Sequence, residues 1–523
     1  NHDALAYHLP KAVLLAQTGR FRAFDVPEPR IASWPWNYEL LLADTMLLTG
    51  SDALTAAVST WAYVVLVLLA ARIAAAWWGG GVHVALAAAF VASAPIVILH
   101  SGLHKNDLLL AVFAVAAMAW SGRWCAVGCS ASAVLSSIAL ILALGTKVNA
   151  AFVVAATAPV LLVGAWRHRA GLRRWAVLVF VAAAAVASLL LGSAGYVFNL
   201  AAFHRVVLMS NSILPRPYGD WFAIPQFTAM LILAPFSPVT GSVWNPFRGQ
   251  YWWWAANDVW MSHFGGVFSI LAVSVLPCIV WVRRRVRSPV EAGAGSLAAL
   301  AAYVALLPIP ARPIGFFATE VRYEILVLPF VAAWTLSPIV IELERLVGRV
   351  SGVLRIVTGL AAVTYSASAF WTYGLYDAYA PLDWVAHLVD EPGDRVPFVR
   401  RNRAASCFDL IAGPNEACAI DVGFDTWIYP AYGRAWTRRV EFLRPADGPV
   451  IIPADVDWVI VDRSWNVFFG HPKFVDMGKS QYLGRGRPSA DDLKVYRQLV
   501  SDPKFERVYD DRSQNQALFH RLP

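Results

Sequence analysis

Residues 58–78 read VSTWAYVVLVLLAARIAAAWW and residues 175–198 read WAVLVFVAAAAVASLLLGSAGYVF. Runs of this length reach the roughly 20 apolar residues that a helix needs to cross a bilayer. Within lipid they must be helical, because no water is there to satisfy a bare backbone. The rest of the chain is of the same character. Of its 523 residues, 58% are hydrophobic and 15% are charged, whereas an ordinary soluble domain carries about 25% charged residues. The expected fold class is an α-helical polytopic membrane protein, and a single soluble globule is excluded.

Working outward from those runs, ten spans are expected, at about 53–72, 82–100, 106–121, 125–144, 148–165, 175–198, 263–282, 294–310, 323–342 and 353–376. Short loops rich in Lys and Arg face the cytoplasm. WRHRAGLRRW (166–175) and RRRVR (283–287) each carry four arginines, and LERLVGR (343–349) carries two with Arg355 just beyond. Arg72 and Arg123 fall in the two earlier loops of the same parity. Residues 1–52, HSGLHKND (100–107), the long loop 199–262, ARPIGFFATEVRY (311–323) and residues 377–523 then lie on the outer side. FTAMLILAPFSPVTG (227–241) would upset this parity if it spanned. Short and broken by proline, it reads as a re-entrant or interfacial segment. The net charge of +8 comes mostly from cytoplasmic loops. Its basic runs flank spans with no base-stacking module beside them, so nucleic acid is not an expected partner. The chain starts with Asn and shows no signal peptide, and a further membrane helix is expected upstream.

Residues 1–376 thus form the expected transmembrane domain, and residues 377–523 a soluble extracytoplasmic one. In the latter, ACAIDVGF (417–424), VDWVIVDR (456–463) and FERVYDD (505–511) read as short strands. ADDLKVYRQLV (490–500) has its apolar residues at helical spacing. The alternation suggests a small α/β domain, without a Gly-rich phosphate loop of the dinucleotide type. Cys125, Cys129 and Cys278 lie in or beside apolar spans and read as small hydrophobes. Cys407 and Cys418 lie on the outer side, where a disulfide between them is an open alternative.

The outward loops hold the polar groups of interest: Asp3, Glu39 and Asp107, accompanied by Lys11, Lys105, Lys147, Arg312 and Arg322. Each falls at or near a span end, where ionisable residues are costly and mark function more often than elsewhere. Plainer readings compete. A cation at a span end commonly snorkels to the interface, and an Asp commonly caps a helix. Asp107 before LLLAVFAV suits capping; Asp3 suits it less, since ALAYHLP is soon broken by Pro10. Taken together the groups point to chemistry on a phosphate-bearing lipid, with cations neutralising a departing phosphate and a carboxylate taking a proton from a hydroxyl. Trp34, Trp36, Tyr38 and YWWWAANDVW (251–260) offer flat faces for a sugar, although Trp is enriched at any membrane interface. His2, His8, His100 and His104 face outward beside two acids, but no spacing such as H-E-x-x-H marks a metal site.

DALAYHLPK (3–11) followed by PWNYELL (35–41) resembles the first outer loop of the GT-C superfamily of membrane glycosyltransferases. Closest in kind are the protein O-mannosyltransferases, the lipid A aminoarabinose transferases and lipopolysaccharide-core sugar transferases. The likeness extends to HKND (104–107), to NPFRGQYWWWAANDVWMSHFGG (245–266) and to RYEILVLP (322–329), and so covers most of residues 1–376. The resemblance implies a polyprenyl-phosphate-linked sugar donor and an acceptor hydroxyl on a lipid, glycan or protein. Attack on the anomeric carbon would proceed with inversion, and the first-loop acid, Asp3, would be the general base. It further implies that Glu39 or Asp107, with His8 and His104 as companions, hold the acceptor or a divalent cation. Lys11, Lys105 and Arg322 would hold the donor phosphate. Many members carry two adjacent acids in the first loop, whereas Ala4 follows Asp3 here, which weakens the expectation of a metal. Three other functions stay open on sequence: an O-antigen ligase or polymerase using a diphosphate-linked glycan, a transporter or flippase of lipid-linked sugars, and a scaffold presenting the C-terminal domain. The spans carry no Asp, Glu or Lys at their middles, as a transporter would be expected to.

Overall fold

The computed structural model of the protein describes residues 4–20, 24, 26, 30–31, 34–169, 186, 192, 194–204, 289–306, 325–347, 352, 403–422, 428–433, 435–443, 449–462, 494–511 and 516–523. By internal contacts the chain divides into two units. One joins Asn1–Val58, Gly195–Leu214 and Trp384–Pro523; the other joins Ser59–Ala194 and Pro215–Asp383.

The described chain begins with a π-helical turn, Ala4–His8, that runs straight into α1, Leu9–Thr18. The expectation that Pro10 breaks this segment does not hold, because Pro10 occupies the first turn of α1. First-turn N–H groups lack ordinary intrahelical partners, so a proline forfeits little there. After Trp36 the chain enters α2, Asn37–Thr49. Tyr38, Glu39, Leu42, Ala43 and Met46 recur at helical spacing and form its buried face. α1 and α2 end at Gly19 and Gly50, at φ 59° and 64°, left-handed positions that glycine fills without a Cβ clash.

The helices that follow are α3 (Ala57–Trp78), α4 (Val82–Ala92), α5 (Pro95–Ser101), α6 (Asp107–Val127), α7 (Ser130–Thr146), α8 (Ala150–Arg167), α9 (Ala194–Phe203) and α10 (Pro289–Leu306). Leu328–Val331 (α11), a π-turn at Ala332–Leu336 and Ser337–Val347 (α12) then form one helical run. Among the described residues, four stretches are long and apolar enough to cross a membrane: Ala57–Trp78, Asp107–Val127, Ala150–Arg167 and Ile325–Glu342. Val82–Ala92, Ser130–Thr146 and Gly293–Tyr303 are apolar but shorter. The spans expected at 263–282 and 353–376, most of 175–198, the segment 227–241 and the aromatic run 251–260 lie outside the described residues.

Several expected boundaries move. α3 and α6 continue past Arg72 and Arg123, which lie within helices rather than in loops. The apolar run resumes after each arginine, and a long guanidinium stem reaches the interface from inside a helix. The span expected at 82–100 is broken between α4 and α5. Ala94 is extended, at φ −65° and ψ 120°, because Pro95 excludes the helical conformation from its predecessor. Pro159, in contrast, sits inside an unbroken α8.

The core of the helical unit is α6, which is buried on almost every side against α7, α8 and α10. A helix apolar all round is suited to that position. Small residues set the closest crossing. A Cβ on Gly295 would lie 2.9 Å from the Gly122 Cα, and one on Gly122 would run into the Ser296 side chain. Apolar helices in lipid associate through such close backbone approach.

The C-terminal part contains α13 (Arg403–Ile411), α14 (Lys494–Ser501) and strands β1 (Cys418–Val422), β2 (Val440–Phe442), β3 (Trp458–Asp462), β4 (Phe505–Asp511) and β5 (Gln516–Arg521). The sheet order is β2-β1-β3-β5-β4. β1 runs parallel to both β2 and β3, and β5 antiparallel to both β3 and β4. The three expected strands and the expected helix appear as β1, β3, β4 and α14. β2, β5 and α13 were not anticipated by the sequence pattern. Cys407 and Cys418 carry free thiols.

Candidate active site

The first cluster is built by the π-turn, α1 and α2. The π-turn brings His8 against the first turn of α2, where its Nδ1 lies 2.5 Å from Glu39 Oε1. Both side chains are buried, and Glu39 Oε2 has no hydrogen-bond partner among the described residues. Lys11, one turn further along, has no exposed surface. Its ammonium donates to the carbonyl of Trp34 at 2.5 Å and that of Pro35 at 3.5 Å, and lies 5.6 Å from the Trp36 ring centre. Burial lowers the Lys11 pKa to about 8, and the nearby Glu39 charge works in the opposite direction. Aromatic rings close around these groups. Tyr38 meets His8 edge-on at 5.2 Å, Tyr7 meets Trp34 edge-on at 5.4 Å, and the Arg30 guanidinium lies 4.3 Å over Tyr7. The cluster thus holds a carboxylate, an imidazole and cations in a wall of flat faces.

The second cluster lies in the helical unit. Asp107 stands in the first turn of α6, and the N-cap position is taken by Asn106. Its Oδ1 pairs with Lys147 Nζ at 2.5 Å, and its Oδ2 lies 3.9 Å from His100 Nε2. All three are buried. Asn106 donates to the Thr146 carbonyl at 2.9 Å, so the start of α6 is tied to the end of α7. His104 and Lys105 are half-buried in the turn before α6. At the other end of α6, His168 approaches the Cys125 carbonyl at 3.2 Å. The pairing of Asp107 with Lys147 therefore puts both at one end of the helical unit, opposite His168.

Asp3 and Arg322 lie outside the described residues, as does His2. Glu39, His8 and Lys11 come together in one unit; Asp107, His104 and Lys105 belong to the other. Lys147 is the partner for which sequence reasoning gave no role. A lone lysine between two apolar runs, on the same expected side as the Asp that opens a span, was the available signal. Arg30 and Tyr7 gave no signal. Among the described residues, no three His, Cys, Asp or Glu side chains converge as a metal site would require. Among the described donors, His8 pairs with Glu39 and Lys147 with Asp107.

No family model and no curated protein matches the chain. Among solved structures, the chain is similar to ArnT from Cupriavidus metallidurans bound to undecaprenyl phosphate, with a TM-score of 0.50 and 13% identity. The match covers 98% of this chain and 92% of that one. The apo state of ArnT matches over the same shares, at a TM-score of 0.49 and 14% identity. The chain therefore has an ArnT-like helical fold carrying a small C-terminal sheet.

Proposed function

We propose that the protein is an integral membrane glycosyltransferase, which moves a sugar from a polyprenyl-phosphate donor to a hydroxyl of a lipid, glycan or protein acceptor. The observation that carries this reading is the end-to-end likeness to ArnT, a structure bound to undecaprenyl phosphate, in a chain whose first loop buries an acid, an imidazole and cations among aromatic rings. Asp3 is the general base. The acceptor hydroxyl loses its proton to the Asp3 carboxylate as its oxygen bonds to the anomeric carbon. The bond from that carbon to the phosphate oxygen breaks on the opposite face, and the phosphate leaves with the electron pair. Inversion follows from this single displacement.

Lys105 and Arg322 neutralise the leaving phosphate, where preorganised positive charge acts most strongly on developing negative charge. Lys11 steadies the Trp34–Trp36 turn through its carbonyl contacts, so that its support of the donor is exerted through that turn. Glu39 with His8, and Asp107 near His104, orient the acceptor. The reaction takes place on the extracytoplasmic face of the bacterial inner membrane, with residues 377–523 on the same side. The test is transfer in proteoliposomes from a panel of radiolabelled polyprenyl-phosphate sugars. Wild-type transfer that is lost in Asp3→Asn, with insertion intact, is the expected result. A fully active Asp3→Asn would remove Asp3 as the base, and no transfer from any donor would reject the reading.

A further inference from the structure

The chemistry above gives the C-terminal domain no part, yet its contacts with the first loop assign it one. Within the unit that contains both, the 3-10 turn Tyr429–Tyr432 packs against the π-turn Ala4–His8 and against α1. Two polar attachments fasten this contact. Gln17, at the end of α1, donates both amide hydrogens, to the carbonyls of Trp436 at 2.6 Å and Arg438 at 3.0 Å. The Tyr429 hydroxyl donates to Asp52 Oδ2, in the turn after α2, at 2.6 Å. Burial, with the Asp52 charge second, holds that hydroxyl protonated well above its usual range. It therefore remains a donor at any physiological pH.

The receiving segment is itself firmly held. The buried Arg438 pairs with Asp409 at 2.7 Å, donates to the carbonyls of Gly413 at 2.9 Å and Ala412 at 2.8 Å, and lies 4.8 Å over the Phe408 ring. Trp436 adopts φ 46°, an unfavourable conformation for a bulky residue. Such strain persists where the surroundings over-determine the backbone. The two attachments grip the first loop at the end of α1 and just beyond α2. Glu39 lies between those points in the sequence, and His8 and Lys11 precede Gln17 on the continuous helical stretch that Gln17 anchors.

We propose that Tyr429 and the Trp436–Arg438 segment form a clamp that positions the first-loop site. The C-terminal domain would then act on the reaction through α1 and α2 rather than by touching substrate. Gln17, Asp52 and Tyr429 are its positioning residues. The inference rests on the reading of the first loop as the site of transfer.

The test uses full-length protein in lipid nanodiscs, comparing wild type with Gln17→Ala, Tyr429→Phe and the double variant. Amide hydrogen exchange follows residues 4–18, and transfer kinetics are measured in parallel. The double variant is expected to exchange about tenfold faster over Leu9–Thr18, while β1 and β3 keep wild-type protection. Its kcat should fall by about tenfold with the donor KM changed less than about twofold, since misplacing a positioned group slows attack more than it weakens binding. Asp52→Asn, which keeps an acceptor oxygen, should retain more activity than Asp52→Ala. Unchanged exchange over Leu9–Thr18 would overturn the clamp. Faster exchange throughout β1 and β3 would also reject it, as a general loss of fold. A shift confined to the first loop in a protein that transfers no sugar would uphold the clamp and reject the glycosyltransferase reading.

Discussion

Lys147→Met leaves Asp107 as a buried carboxylate without its nearest cation. The paired atoms are 2.5 Å apart, with only 7% of the Lys147 side chain and 2% of the Asp107 side chain exposed. His100 cannot replace the lysine at once, because its Nε2 is 3.9 Å from Oδ2, beyond hydrogen-bond reach. Removing one member of a buried ion pair costs about 3–5 kcal/mol, whereas replacing both by apolar groups of similar size is often neutral. Lys147→Met and Asp107→Leu are therefore each expected to destabilise by about 3–5 kcal/mol, and the double variant by less than either. Equilibrium unfolding in mixed micelles, followed by tryptophan fluorescence, measures all four corners of the cycle. A single-variant cost below about 1 kcal/mol, or a double variant equal to the sum of the singles, would refute the argument.

Lys11 gives a pH-dependent prediction. Its folded pKa of about 8 lies below the ordinary 10.5, so between those values the unfolded chain binds more protons and stability rises with pH. The difference amounts to roughly 3 kcal/mol at most, and Lys11→Met should flatten the profile over that window; an unchanged slope would place its origin elsewhere. Gly122→Leu should prevent the α6–α10 crossing and reduce folded protein on size exclusion, by a penalty of at least about 1–3 kcal/mol; normal yield and melting would contradict the close contact. Arg322→Ala should weaken donor binding more than acceptor binding in the transfer assay, and equal loss of both would argue against a phosphate role.

Apolar runs announced most of the helices, because a hydrocarbon environment leaves the backbone few alternatives. Their ends were less legible. Arg72 and Arg123 resembled stops, although a single arginine does not end a helix whose apolar residues resume beyond it. Pro95 and Pro159 are chemically alike and lie in similar runs, yet only Pro95 divides its helix, and the local pattern does not tell the two apart. In the C-terminal part, β1 and β3 were legible as short, mostly apolar strings, as strands covered on both faces tend to be. β2 has three residues, too few for any period to show. Among the site residues, Glu39, His8 and Lys11 stood out by type and position, but their mutual contact depends on a π-turn that no spacing rule foretells. The link between Asp107 and Lys147 crosses from one helix end to another, and a single sequence records both residues without recording the pairing.

The unit that houses the first loop is assembled from segments far apart along the chain: 1–58, 195–214 and 384–523. During synthesis, residue 384 emerges 326 positions after residue 58, which at about 5–20 residues per second is a delay of roughly 16–65 s. Throughout that interval the helices bearing His8, Lys11 and Glu39 have none of their C-terminal partners to pack on. β5, which lies between β3 and β4 in the sheet, ends only at Arg521, so the sheet itself closes last. A ribosome that stalls or terminates after residue 383 would therefore release a chain with its helical unit complete and its first loop unsupported, a nascent product for quality control to recognise.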